Sequence, residues 1–135
     1  MNNKIILYNG KKEDHSSEPN NFYLEKTKSG NPLANPFGVG GKRPSFVKMS
    51  FPTVEEANEA YKEYFNEAYG TDANLTIAFD EIYEHYKNGE DIYLQCMKDP
   101  KKSHGNFLIE QLQKKLIKEK MKERNNLNSG DGGKN

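Results

Sequence analysis

Two short apolar runs constrain the fold more than anything else in the chain. KIILYN, residues 4–9, and DIYLQCM, residues 91–97, are rich in β-branched and aromatic side chains, and each reads as a strand. FYLEK, from Phe22, has the same character and reads as a short further strand. Two helices stand between the outer runs. The first starts at Thr53, whose hydroxyl can cap the Glu56 amide while Glu56 reaches back, and it stops at Gly70. Its apolar positions Ala57, Ala60, Tyr61, Tyr64, Phe65 and Ala68 recur at spacings of three and four. The second spans Asp72 to Asn88, with Leu75, Phe79, Ile82, Tyr83 and Tyr86 on one face and Gly89 as its stop. A third begins near Asn106 and turns Phe107, Leu108, Leu112 and Leu116 inward. Strands separated by helices in this way predict an α/β domain whose sheet has at least one parallel crossover and is flanked by helices. Such sheets bind ligands at the C-terminal ends of their strands.

Only 33% of the 135 residues are hydrophobic. With a mean hydropathy of -1.03, the core must be small and concentrated in those segments, and the 8 Tyr and 7 Phe are expected to supply much of it. Residues 1–124 are read as one domain, and the polar segment 125–135 as a disordered tail. The 20 basic and 20 acidic residues cancel, which argues against nucleic acid as a partner. They are unevenly placed, however: residues 53–91 are acidic and the C-terminal third, with Lys114, Lys115, Lys118, Lys120, Lys122 and Arg124, is basic. Such faces are commonly just solvated, and docking on a host protein is the functional alternative. Tyr-rich helices on a small sheet also allow a second copy as partner.

The single Cys excludes an internal disulfide, and no Cys or His spacing suits a metal, so neither metal nor cofactor is expected. The N-terminal apolar run is too short for a signal peptide, and no run approaches a membrane span. A soluble, cytoplasmic protein is expected.

NPLANPFGVGGKRPSF, residues 31–46, has neither strand nor helix periodicity, and the whole segment from Thr27 to Pro52 reads as a long loop. It lacks the spacing of a phosphate-binding P-loop. Asn35, Pro36 and Phe37 offer a rigid turn with an aromatic face, and Lys42 and Arg43 could meet an anion. A solvated loop anchored by Phe37 is the competing reading. In CMKDPKKSHGNFL, residues 96–108, Ser103, His104 and Gly105 fall where free amides of the last helix would face an anion. Alternatively, Ser103 is only a helix cap with His104 exposed beside it. Cys96 reads as a buried strand residue rather than a nucleophile.

Taken together, FYLEKTKSGNPLANPFGVG, the helix from Thr53 and DIYLQCMKDPKKSHGNFLIEQL resemble the bacterial and phage domain of unknown function numbered 4326. Asn35, Pro36 and Phe37 match its Asn-Pro-Phe loop, and Cys96, Pro100, His104 and Gly105 match its strand-end turn. Lys98 and Ser103 stand where that family has further thiols, so if the family uses its thiols for metal or redox work, this chain could not. The resemblance implies a small Rossmann-like domain of a kind that handles nucleotides. The small size and the Asn- and Lys-rich composition look like those of a phage protein. The function so implied is capture of a nucleotide-like small molecule, such as a host defence signal, by Asn35–Phe37 on its base or ribose and the 103–105 turn on its phosphate. An enzyme cleaving an N-glycosidic bond and an inhibitor of a host protein are the alternatives.

Overall fold

The computed structural model describes residues 4–27, 29–39 and 49–131. The fold is mixed α/β around a parallel sheet. The two outer runs form β1 (Ile5–Asn9) and, late in the chain, β5 (Ile92–Cys96), and they pair in parallel with Ile5 opposite Ile92 and Asn9 opposite Cys96. β2 (Asn21–Tyr23) pairs in parallel with the other edge of β5, giving the order β1-β5-β2. The strand made last therefore sits in the centre.

Within the segment read as loop, two three-residue strands, β3 (Phe37–Val39) and β4 (Met49–Phe51), form a separate parallel pair. Three residues are too few to show a two-residue alternation, so the sequence pattern hides them. Both lie against α1 (Val54–Ala68).

α1 is capped as its sequence requires. Thr53 Oγ1 accepts from the Glu56 amide at 3.2 Å and donates to Glu56 Oε1 at 3.0 Å, so the return arm of the box reaches the hydroxyl rather than the Thr53 amide. Gly70 takes φ +92°, a conformation costly for other residues, and turns the chain straight into α2 (Ala73–Lys87). Asp72 caps α2 through the Leu75 amide at 3.2 Å. After β5, a 3-10 turn at Pro100–Lys102 leads to α3 (Gly105–Asp131), which runs on past residue 124.

The core follows from the strand alternation. Ile92, Leu94 and Cys96 point to one face of the sheet and are fully buried. There Ile92 and Leu94 meet Tyr61 and Phe65 of α1, Leu75, Phe79, Ile82 and Tyr83 of α2, and Leu108 and Leu112 of α3. Aromatic rings hold much of this cluster, with Phe65 edge-on to Phe79 at 5.2 Å and to Phe107 at 5.4 Å. On the opposite face His15 covers Tyr8 edge-on at 4.6 Å and stacks on Tyr93 at 5.0 Å. Tyr8 completes that face through its hydroxyl, held by Asn21 and Gln95.

Candidate functional site

The Asn-Pro loop is built from two copies of one turn. Asn31 Oδ1 accepts from the Leu33 amide at 3.2 Å, and Asn35 Oδ1 accepts from the Phe37 amide at 3.0 Å. In each, an Asn side chain mimics a backbone turn around the proline that follows it. The repeat NPL-A-NPF was visible in the sequence as two Asn-Pro steps four residues apart. Asn31 Nδ2 also donates to the Tyr23 and Glu25 carbonyls at 2.7 and 3.0 Å, tying the first turn to the end of β2. Asn35 Nδ2 donates to the Ala57 carbonyl and Asn58 Oδ1, both at 3.3 Å, tying the second to α1.

The loop and the Ser-His-Gly turn do meet, at the Leu33 carbonyl. It accepts from His104 Nε2 at 2.9 Å and from the Tyr61 hydroxyl at 3.0 Å. Asn58 reinforces the junction by donating to the Lys102 carbonyl at 2.8 Å. This meeting point is buried: His104 is 1% exposed and its ring lies edge-on to Tyr61 at 4.6 Å. Burial holds the imidazole well below its ordinary range, at about 4, so it is neutral near pH 7, with Nε2 carrying the proton it donates.

The helix amides expected to be free are engaged. The Gly105 amide donates to Ser103 Oγ at 3.0 Å, Asn106 to the Ser103 carbonyl at 3.3 Å and Phe107 to the His104 carbonyl at 3.0 Å. Ser103 is thus a capping residue, as one reading had it, but His104 is buried rather than exposed. Gly105 lets α3 approach the sheet: a Cβ there would lie 2.7 Å from Leu7 Cδ1 and 2.9 Å from Leu24 Cδ1. Cys96 is fully buried, its thiol 3.3 Å from the carbonyls of Tyr8 and Lys98. Lys42 and Arg43 lie outside the described residues.

Phe37 opens onto different ground. With Phe51 and Tyr64 it lines a cleft of about 720 Å³ along α1, completed by Ala60 and Ala68 and rimmed by Glu63, Glu67 and Asp72. The Phe37 ring stands edge-on to Phe51 at 5.7 Å and to Tyr64 at 6.1 Å. Tyr64 is also a wall of a second, smaller pocket of about 160 Å³, lined by Lys26, Asn31, Pro32, Ala34 and Pro36. The two Asn-Pro turns shape this pocket, at the C-terminal end of β2. Burial, with Lys98 nearby, lowers the Lys26 ammonium from its ordinary range. The adjacent Glu25 is taken by the Met97 amide at 3.1 Å and by Lys98 at 3.8 Å. Among the described residues no carboxylate pairs with Lys26.

Of the sequence-derived candidates, Phe37 and Pro36 therefore line adjoining pockets and Asn35 holds them in place. Ser103, His104 and Gly105 are buried elsewhere, Ser103 and His104 bordering a separate pocket of about 260 Å³ with Asn58, Lys62 and Lys101. Lys26, Phe51 and Tyr64 are additions that the sequence did not single out. Tyr64 carried a signal, being one of two tyrosines three residues apart on one helix face. The position of Lys26 follows only from folding the loop over it. Among the described residues no cluster of three or more His, Cys, Asp or Glu could hold a metal, and no helix is long and apolar enough to cross a membrane. Comparison with family models, curated proteins and solved structures finds no match to this chain.

Proposed function

We propose that the protein binds a nucleotide-derived small molecule, its base in the aromatic cleft of Phe37, Phe51 and Tyr64 and its anionic end beside Lys26. The observation that carries this reading is the shared wall: Tyr64 borders both the apolar cleft and the pocket of the half-buried Lys26. A flat heterocycle suits the aromatic rings, and an anion suits a half-buried ammonium that has no ion-pair partner among the described residues. The Glu63, Glu67 and Asp72 carboxylates can accept from base amino groups or ribose hydroxyls but repel phosphate. That combination favours a ligand of low negative charge, such as a nucleoside monophosphate or a cyclic nucleotide, over a triphosphate. Held without turnover, such a ligand would be withdrawn from solution, which fits the capture of a host signal implied by the resemblance to the phage and bacterial family.

Native mass spectrometry with nucleosides and with mono-, cyclic and triphosphate nucleotides, followed by calorimetric titration, tests the reading. A stoichiometric adduct weakened at least about tenfold in both Phe37→Ala and Lys26→Ala is expected, the latter only for ligands that carry phosphate. Absence of binding across the panel, or binding indifferent to both substitutions, refutes it. The three carboxylates at the cleft also favour a second reading, hydrolysis of an N-glycosidic bond, since that chemistry calls for a carboxylate near the sugar. Release of free base by the protein, abolished in Glu67→Gln with the adduct retained, would establish it.

A further inference from the structure

From the distribution of charge and exposed apolar groups, we infer that the chain pairs with a second copy of itself, the outer half of α3 from each copy lying along the acidic groove at the start of the other's α1. α3 has 27 residues and is about 40 Å long, yet among the described residues its fully buried side chains end at Leu112. Beyond them Ile117 and Met121, one turn apart on one face, are 58% and 55% exposed. Lysines 114, 118 and 122 recur at the same spacing beside them and are exposed, and of these Lys114 pairs with Glu110 of its own helix at 3.4 Å.

The opposite pattern stands on α1. Phe51 and Ala60 floor a groove of about 380 Å³ walled by Glu55, Glu56, Glu59 and Glu63. Glu55, Glu56, Glu59 and Glu63 are exposed, and none of them pairs with the α3 lysines of its own chain among the described residues. Only Glu59 has a described cationic partner, Lys62, at 3.1 Å on the same helix. One surface is thus an apolar stripe edged by cations and the other an apolar trough edged by anions. In a chain of zero net charge the two patches are complementary between copies.

Reciprocal docking satisfies both patches in each copy and closes the assembly as a two-fold dimer. Each half is a helix laid in a groove, with Ile117 and Met121 as anchors over Phe51 and Ala60, and the lysines facing the glutamates. A membrane surface or an acidic protein would satisfy the lysines but leave the α1 groove unused. A second copy uses both.

Sedimentation velocity over a concentration series, in about 0.05 M and about 0.5 M salt, reads the pairing directly. The wild-type chain should dimerise and weaken at least about tenfold at the higher salt. Lys118→Glu with Lys122→Glu, and separately Glu55→Lys with Glu59→Lys, should each give a folded monomer by circular dichroism. Mixed in equal amounts, the two variants should dimerise again, because each reversed face meets a reversed partner. Met121→Asp, which leaves every charged pair in place, should also weaken the dimer. Glu55 and Glu59 lie outside the aromatic cleft, whereas Phe51, Ala60 and Glu63 border both it and the groove, so nucleotide binding should persist in both charge variants and compete with pairing in the wild-type chain. A wild-type monomer throughout, a dimer insensitive to either double variant, or a mixture that stays monomeric overturns the inference. So does a monomer whose α3 lysines instead bind acidic vesicles or an acidic polypeptide.

Discussion

His104 shows how far a side chain's type can mislead about its use. A histidine in a strand-to-helix turn has the composition of a catalytic or anion-binding group, yet this one is a neutral donor in the core. Its Nε2–H and the Tyr61 hydroxyl converge on one carbonyl of the Asn-Pro loop. The consequence for stability has a definite sign. The ordinary imidazole value is 6.5 and the folded value about 4, so between these the unfolded chain takes up a proton that the folded chain refuses. The contribution of His104 is therefore complete above about pH 6.5, falls as the pH drops and has nothing further to lose below about 4. The full span is about 3 kcal/mol. Urea unfolding at about pH 7 and about pH 4.5 should reveal most of that loss. His104→Gln, whose amide can still donate to Leu33, should be less stable at neutral pH but lose markedly less on acidification. An equal acid loss in both proteins would assign the pH dependence to carboxylates instead.

At the scale of elements, the helices were legible and the small sheet was not. α1 and α2 each carry a side-chain cap, an apolar stripe and a glycine just beyond the end, so local signals and packing agree. β3 and β4 are held by their pairing and by α1, and no local signal marks three residues of strand. The site shared this division: Phe37 was legible as an isolated aromatic beside a rigid turn, whereas Lys26 acquires its pocket only when the loop folds back over it. Asn35 is the hinge of that folding, since one side chain both closes the turn onto Phe37 and grips α1. Asn35→Ala should cost about 1–3 kcal/mol, as expected when buried polar groups lose their partner. It should also weaken nucleotide binding without removing any group that lines the pockets. Thermal unfolding and calorimetry on this variant check both effects. Stability lost with affinity unchanged would separate the turn from the site.

The whole molecule combines a central strand completed late in the chain with a second small sheet that shares no strand with the first. β5 is paired on both edges and buried on its core face, so its amides are expected to open only with global unfolding. The β3–β4 pair has three residues per strand and packs against one helix, which places it among the parts that open locally. The aromatic cleft joins these two regimes. Its Phe37 and Phe51 come from the weakly held pair, while Ala60, Tyr64 and Ala68 come from α1, whose Tyr61 and Phe65 are in the core. A ligand bridging Phe37 and Tyr64 would fasten the first sheet's helix to the second sheet, and the gain would appear where opening is easiest. Hydrogen exchange read by mass spectrometry should therefore show β5 peptides slow with or without nucleotide. Peptides covering Phe37–Val39 and Met49–Phe51 should exchange early in the free protein and slow on binding. Protection confined to the Ser103–Gly105 turn would place the ligand at the buried junction and displace it from the cleft.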